Sequence, residues 1–213
     1  MLGRIRWSDE RRIRAEQEFL MGMRIQVLYL PRCERGLERR MRKGVDLLKA
    51  YRVNRVLVPP DFVWWPLLKQ LGLRPVETRS LRCTLVSDWV KTVMESAGIL
   101  PQRAVVRLNG ERETSDVLLA AHQLCPIIRN LVIDVPGGEK LTAQLRREYG
   151  IPVLPAKSAR ADLTVWFEEG PVLKGASFGL KDCNLPLDCE VLPLLSALWE
   201  CGRIKTEDIA ILI

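Results

Sequence analysis

Three residues in the stretch NLVIDVPGGEKLTAQLRREYGIPVL, residues 130 to 154, have the types and spacing of an anion-binding turn: Asp134, Gly137 and Gly138. An apolar run ends at Asp134, two glycines follow, and a helical pattern opens after them. The first N–H groups of a helix have no partners inside it, and together with the helix dipole they attract a phosphate or carboxylate. An acid at the end of the preceding strand is placed to accept hydrogen bonds from the hydroxyls of such a ligand. The same D-x-x-G-G is also what a strand-to-helix turn needs for its backbone alone, because glycine enters left-handed conformations without steric cost. The stretch is therefore half of a nucleotide-binding site or only its shape.

The remaining reactive residues assemble no catalytic set. The chain has no Walker lysine motif, no G-x-S-x-G elbow and no H-E-x-x-H pair. His122 is the single histidine, and with Cys125 it forms an i, i+3 pair that needs further ligands from elsewhere to hold a metal. Cys33, Cys83, Cys125, Cys183, Cys189 and Cys201 contain no C-x-x-C pair, which reads as reduced thiols packed as small hydrophobes, with a Cys183–Cys189 disulfide as the alternative. Glu168-Glu169 reads as a solvated acidic loop, and Trp64-Trp65 between Phe62 and Pro66 as core or apolar interface. Asp182 and Asp188 fall in the irregular GASFGLKDCNLPLD without visible partners. Neither a cofactor nor a metal is expected.

The elements that must position these residues follow from periodicity and turn signals. Ser8 reads as the N-cap of a short helix preceding Met23, with Asp9 and Glu10 in its first turn. On that reading residues 1–22 lie on the surface, and a chain beginning at Met23 keeps its core. RIQVLYL is a strand, a basic helix starts near Glu34, NRVLV is a second strand, and a helix ends at Leu71 or Gly72. RPVETR is a third strand, followed by the helical LVSDWVKTVMESAGI. GILPQR, residues 98 to 103, combines a helix-ending glycine with a proline and divides the chain into domains of residues 1–100 and 101–213. Beyond it the alternation restarts with RAVVRL, SDVLLAAHQL, NLVIDV, GEKLTAQLRREY, IPVL and DLTVWF. Strands alternating with helices predict an α/β fold of two small layers with mainly parallel sheets.

Residues 103–168 resemble, in layout, a degenerate Rossmann-like domain of the kind found at the C-terminal end of shikimate-dehydrogenase-like proteins. The resemblance implies that Gly110 is the first glycine of the dinucleotide turn and Asp134 the ribose reader. The G-x-G-x-x-G pattern then meets Arg112 and Ser115 where glycines belong, and the loop NGERETSD places Glu111, Glu113 and Asp116 where phosphates would sit. Close backbone approach to a pyrophosphate needs those glycines, and the acids repel it, Arg112 offsetting one of them. Ser115 and Asp116 read instead as helix N-cap chemistry.

Charge favours some partners. Residues 1–56 carry 15 Lys and Arg against 7 Asp and Glu, so the net charge of +7 comes from the first quarter of the chain. Such a segment attracts phosphate-rich surfaces, yet in RGLERRMRKGVDLLKAY the cations sit opposite an apolar stripe, as on a solvated helix face. No zinc-finger spacing or aromatic RNA-binding motif supports nucleic acid. No apolar run reaches the roughly 20 residues of a membrane span, and the charged start lacks a signal-peptide pattern, so a cytoplasmic protein is expected. The preferred function is a non-catalytic binding or scaffold protein with a protein partner or a small anionic ligand. The alternative is a small-molecule enzyme holding a nucleotide or phosphorylated ligand at the strand ends of the second domain.

Overall fold

The computed structural model describes residues 1–32, 35–150, 153–156, 160–186 and 188–213. Cys33, the helix start expected at Glu34 and the first half of the IPVL strand lie outside them. The chain forms an α/β fold with two five-stranded, mixed but mostly parallel sheets, divided between two compact units: Met1–Thr78 with Gly179–Ile209, and Arg79–Phe178 with Ala210–Ile213.

The first unit begins with β1 (Leu2–Ser8), β2 (Arg14–Leu20) and β3 (Met23–Pro31). The expected surface helix before Met23 is thus two strands, and β1 is the centre of the sheet. It pairs in parallel with β3, from Leu2↔Ile25 to Ser8↔Pro31, and with β4 (Arg55–Leu57), from Leu2↔Arg55 to Arg4↔Leu57. Leu2, Gly3, Arg4 and Ile5 are all buried. β2 is an antiparallel edge strand joined to β3 by the two-residue turn Met21-Gly22, both with positive φ as a tight hairpin requires. Its alternating RAEQEFL is what exposes one face and blunts an open edge with charge.

α1 (Leu37–Ala50) carries β3 over to β4, and α2 (Trp65–Gln70) carries β4 to β5 (Arg74–Pro75), giving the order β2-β3-β1-β4-β5. Leu37, Met41, Val45 and Leu48 recur at helical spacing along α1 and pack on Ile5, Leu28 and Leu30 of the sheet, with Val56, Val58, Phe62 and Leu68 completing the core. The basic residues of α1 face outward, as the sequence pattern implies.

The second unit opens with α3 (Arg79–Ser96), so the stretch 98–103 lies inside this unit, between α3 and β6 (Val105–Gly110). α4 (Ser115–Leu124), β7 (Asn130–Asp134), α5 (Glu139–Tyr149) and β8 (Val153–Leu154) follow, then β9 (Leu163–Glu168) and β10 (Gly170–Val172). The order is β10-β9-β6-β7-β8, with β10 antiparallel. Each sheet therefore has its earliest strand inside, parallel neighbours on both sides and one antiparallel edge.

After β11 (Ser177–Leu180) the chain returns to the first unit through an irregular segment and α6 (Val191–Glu200), and it ends in β12 (Ile209–Leu212). Leu194, Leu195 and Leu198 of α6 are buried, the Ser196 hydroxyl donates to the Glu77 carbonyl at 2.6 Å, and the Glu190 N–H donates to the Val58 carbonyl at 3.1 Å. Among the described residues no helix is long and apolar enough to cross a membrane.

Candidate functional site

The turn singled out in the sequence lies at the carboxyl ends of β6 and β7. Gly110 ends β6, Asp134 ends β7 in register with Asn109, and Gly137 and Gly138 lead into α5. Asp134 accepts from Arg107 Nη1 and Asn109 Nδ2, both at 3.1 Å, so its carboxylate is engaged along the sheet edge. Gly137 has φ +83°, which the turn requires, while a Cβ on Gly138 would meet the Ile133 Cγ2 at 2.7 Å and the Val135 Cγ2 at 3.0 Å. A Cβ on Gly110 would stand 3.3 Å from the Phe167 Cβ and 3.4 Å from the Val135 Cγ1. Gly110, Asp134 and Gly138 are thus neighbours along one strand edge, and Arg112 stands apart on the exposed loop after β6.

Two further details of this unit bear on the sequence reading. Thr114, one residue earlier than expected, caps α4 by accepting from the Val117 N–H at 3.4 Å, and Asp116 in the first turn pairs with Arg79 at 2.6 Å. His122 lies on α4 with its Nδ1 3.0 Å from the Tyr149 hydroxyl.

An open crevice lies at the carboxyl ends of the first sheet. Outgoing connections from β1 and β4 turn to opposite sides there, the position at which open parallel sheets hold ligands. Trp7 at the end of β1, Arg32 just past β3, Pro59, Pro60 and Asp61 after β4, together with Arg6 and Asp188, enclose a recess of about 480 Å³. An adjoining recess of about 390 Å³ shares Trp7, Arg32 and Asp61 and adds Leu37, Val63 and Trp64. The Trp7 ring stacks on buried Phe62 with centroids 5.8 Å apart, and its indole N–H donates to Asp61 at 3.0 Å. Trp64 stays partly exposed, whereas Phe62 and Trp65 turn into the core, so only one of the paired tryptophans reaches the recess. The Arg32 side chain has no hydrogen bond or ion pair among the described residues, while its backbone N–H donates to the Ser8 carbonyl at 3.2 Å.

The wall beneath this crevice is charged. Arg4 and Arg6 stand two residues apart on β1 and share the face opposite Ile5. Arg4 donates to Asp188 Oδ1 and Arg6 to Asp188 Oδ2. Arg6 also donates to both Glu18 oxygens, at 3.1 and 3.2 Å, and to the Tyr29 hydroxyl at 3.2 Å, which itself donates to Glu18 at 2.5 Å. Arg14 lies over the Tyr29 ring, 4.3 Å from its centroid. Burial pulls the Arg4 guanidinium below its ordinary pKa, with Cys189 opposing that shift. Burial likewise pushes the Cys189 thiol up against the influence of Arg4, and it raises the Tyr29 phenol, assisted by the bond to Glu18.

These groups come from five separate segments, and no local spacing announces them. Asp188, an acid without a visible partner in the sequence, has its partners on the first strand of the chain. Among the described residues no three His, Cys, Asp or Glu side chains group to hold a metal ion. No protein-family model matches the chain, and no curated protein matches it.

Proposed function

We propose that the protein is a cytoplasmic, non-catalytic binding protein of Rossmann-like shape without a dinucleotide site, and that it holds a small anionic ligand at the carboxyl ends of its first sheet. The observation that carries this reading is the crevice of about 480 Å³ at the ends of β1 and β4, lined by Trp7 and by Arg32, whose side chain has no hydrogen bond or ion pair among the described residues. An arginine offers charge-assisted hydrogen bonds to a phosphate or carboxylate, and an aromatic face offers stacking to a flat apolar body, the two demands of a compact ligand site. A binding role rather than catalysis is supported by the state of the two carboxylates that line it. Asp61 accepts from the Trp7 indole and Asp188 from two arginines, so each carboxylate has a structural partner. The chain's one histidine belongs to the other unit.

Thermal melting against a panel of nucleoside monophosphates, aryl phosphates, aryl carboxylates and dinucleotides tests the reading. A ligand at 100 times its dissociation constant adds about 2.7 kcal/mol of stability. A monoanionic or dianionic aromatic ligand is expected to raise the melting temperature of the parent chain and to lose that effect in Arg32→Gln, an exposed position whose change leaves the core alone. No shift across the panel, or a shift undiminished by Arg32→Gln, overturns it.

A further inference from the structure

Charge is distributed unequally between the two sides of the Arg4, Arg6 and Asp188 cluster. Arg4 is 1% exposed and is built into the central strand, whereas the Asp188 side chain is 43% exposed. The acid rides on a segment that makes no backbone-to-backbone hydrogen bond among its described residues between Lys181, bonded to the Asp208 carbonyl, and Glu190, bonded to the Val58 carbonyl. A buried cation without an anion is strongly destabilising, so the sheet demands a negative group at this point whatever supplies it. Asp188 meets that demand incompletely. Its two oxygens are divided between two guanidiniums, and Arg4 Nε is buried with no hydrogen-bond partner among the described residues.

We propose that Arg4 and Arg6 form a phosphate seat, occupied in the ligand-free protein by the Asp188 carboxylate and taken over by the phosphate group of a ligand when Asp188 withdraws. A phosphate presents three terminal oxygens, enough to serve both guanidiniums and the donor that Asp188 leaves unmet. Arg6 and Asp188 line the crevice, so the seat has a path to solvent. Glu18 and Tyr29 hold the Arg6 guanidinium from behind and keep it aimed when the acid leaves. The seat deepens the reading of the crevice as a ligand site: Arg32 and Trp7 receive the ligand at the rim, and Arg4 and Arg6 receive its phosphate at the floor.

The test uses the full chain and inorganic phosphate. Asp188→Ala is expected to melt below the parent in chloride and to regain stability in phosphate, while the parent moves little. By calorimetric titration its affinity for phosphate is expected to be at least tenfold higher than the parent's. The Arg6→Gln/Asp188→Ala double variant is expected to gain nothing beyond the general salting effect of phosphate seen with the parent. If Asp188→Ala folds only in phosphate, that too supports the seat. An equal gain by all three proteins overturns it, as does no gain by Asp188→Ala, or an Asp188→Ala chain that folds in neither salt. The two readings fail separately. Phosphate binding by Asp188→Ala with no aromatic ligand bound by the parent leaves the seat standing without the crevice, and the converse leaves the crevice without the seat.

Discussion

Arg4 and Asp188 are 184 positions apart in the chain, and the guanidinium of the first donates to the carboxylate of the second. The bond ties the central strand of the first sheet to the segment that returns from the second unit. The first unit is discontinuous in sequence, and its opening strand is joined to the segment just before α6. Stability of this unit should depend on both ends.

Removal of residues 1–22 is the direct check. The deletion takes away β1 and β2, leaving β3 without either neighbour and β4 with its inner edge unpaired. It also takes Ile5, fully buried between the sheet and α1. A chain beginning at Met23 is expected to lose its cooperative thermal transition, followed by circular dichroism beside the full chain. The milder Ile5→Ala is expected to cost about 2–5 kcal/mol in urea denaturation, the range for emptying a large apolar position in a core.

How much of this was legible in the sequence depended on whether a residue's partner was local. RIQVLYL, NLVIDV and the stripe of Leu37, Met41, Val45 and Leu48 announce themselves because their apolar residues repeat with the period of the element they form. LGRIRWS conceals a central strand because Arg4 and Arg6 occupy alternate positions on one face, and their partners, Glu18 for Arg6 and Asp188 for both, lie on other segments of the chain. The pattern of Ser8, Asp9 and Glu10 that suggested a helix cap belongs to the turn between β1 and β2, where Ser8 Oγ accepts from the Glu10 N–H at 3.1 Å. The crevice was invisible for the same reason as Arg4: Trp7, Arg32, Asp61 and Asp188 share no spacing, only a sheet end.

The glycine pair before α5 gives a second prediction. Gly138→Ala forces a Cβ into 2.7 Å of the Ile133 Cγ2 and 3.1 Å of the Val135 carbonyl, so it is expected to destabilise by about 1–3 kcal/mol through overpacking. Gly137→Ala meets open space but must hold φ near +83°, a left-handed conformation costing roughly 1–2 kcal/mol for a residue with a Cβ. Urea denaturation of both variants measures these costs.

Cysteine reactivity separates the thiols by environment. Burial pushes Cys83 and Cys125 up to about 11 and also raises Cys189, so at pH 8 their thiolate fractions are small and their sulfurs are covered. Cys183 and Cys201 are exposed. Iodoacetamide followed by peptide mass analysis is expected to find Cys183 and Cys201 modified first, with Cys83, Cys125 and Cys189 reacting only after denaturant is added. Early modification of Cys189 in the folded protein would show that the segment around Asp188 opens without a ligand.

Glu190 offers a test in pH. It sits at the N-cap of α6 beside Cys189, half-buried among Pro60, Thr78, Val191 and Pro193, and burial raises its carboxyl above the ordinary value of 4.5. A carboxyl whose pKa is higher in the folded than in the unfolded chain binds its proton more tightly when folded. Stability therefore falls as pH rises from the unfolded value through the raised folded one, and the full penalty is present above the latter. Glu190→Gln stays neutral and escapes this penalty. Its melting temperature is expected to approach the parent's as pH falls below the ordinary value of 4.5, where Glu190 takes up its proton in both states, and to exceed it increasingly toward pH 7. A difference between the two proteins that stays constant over this range would mean that Glu190 titrates alike in the folded and unfolded chain, and that the pocket beside α6 leaves its carboxylate fully solvated.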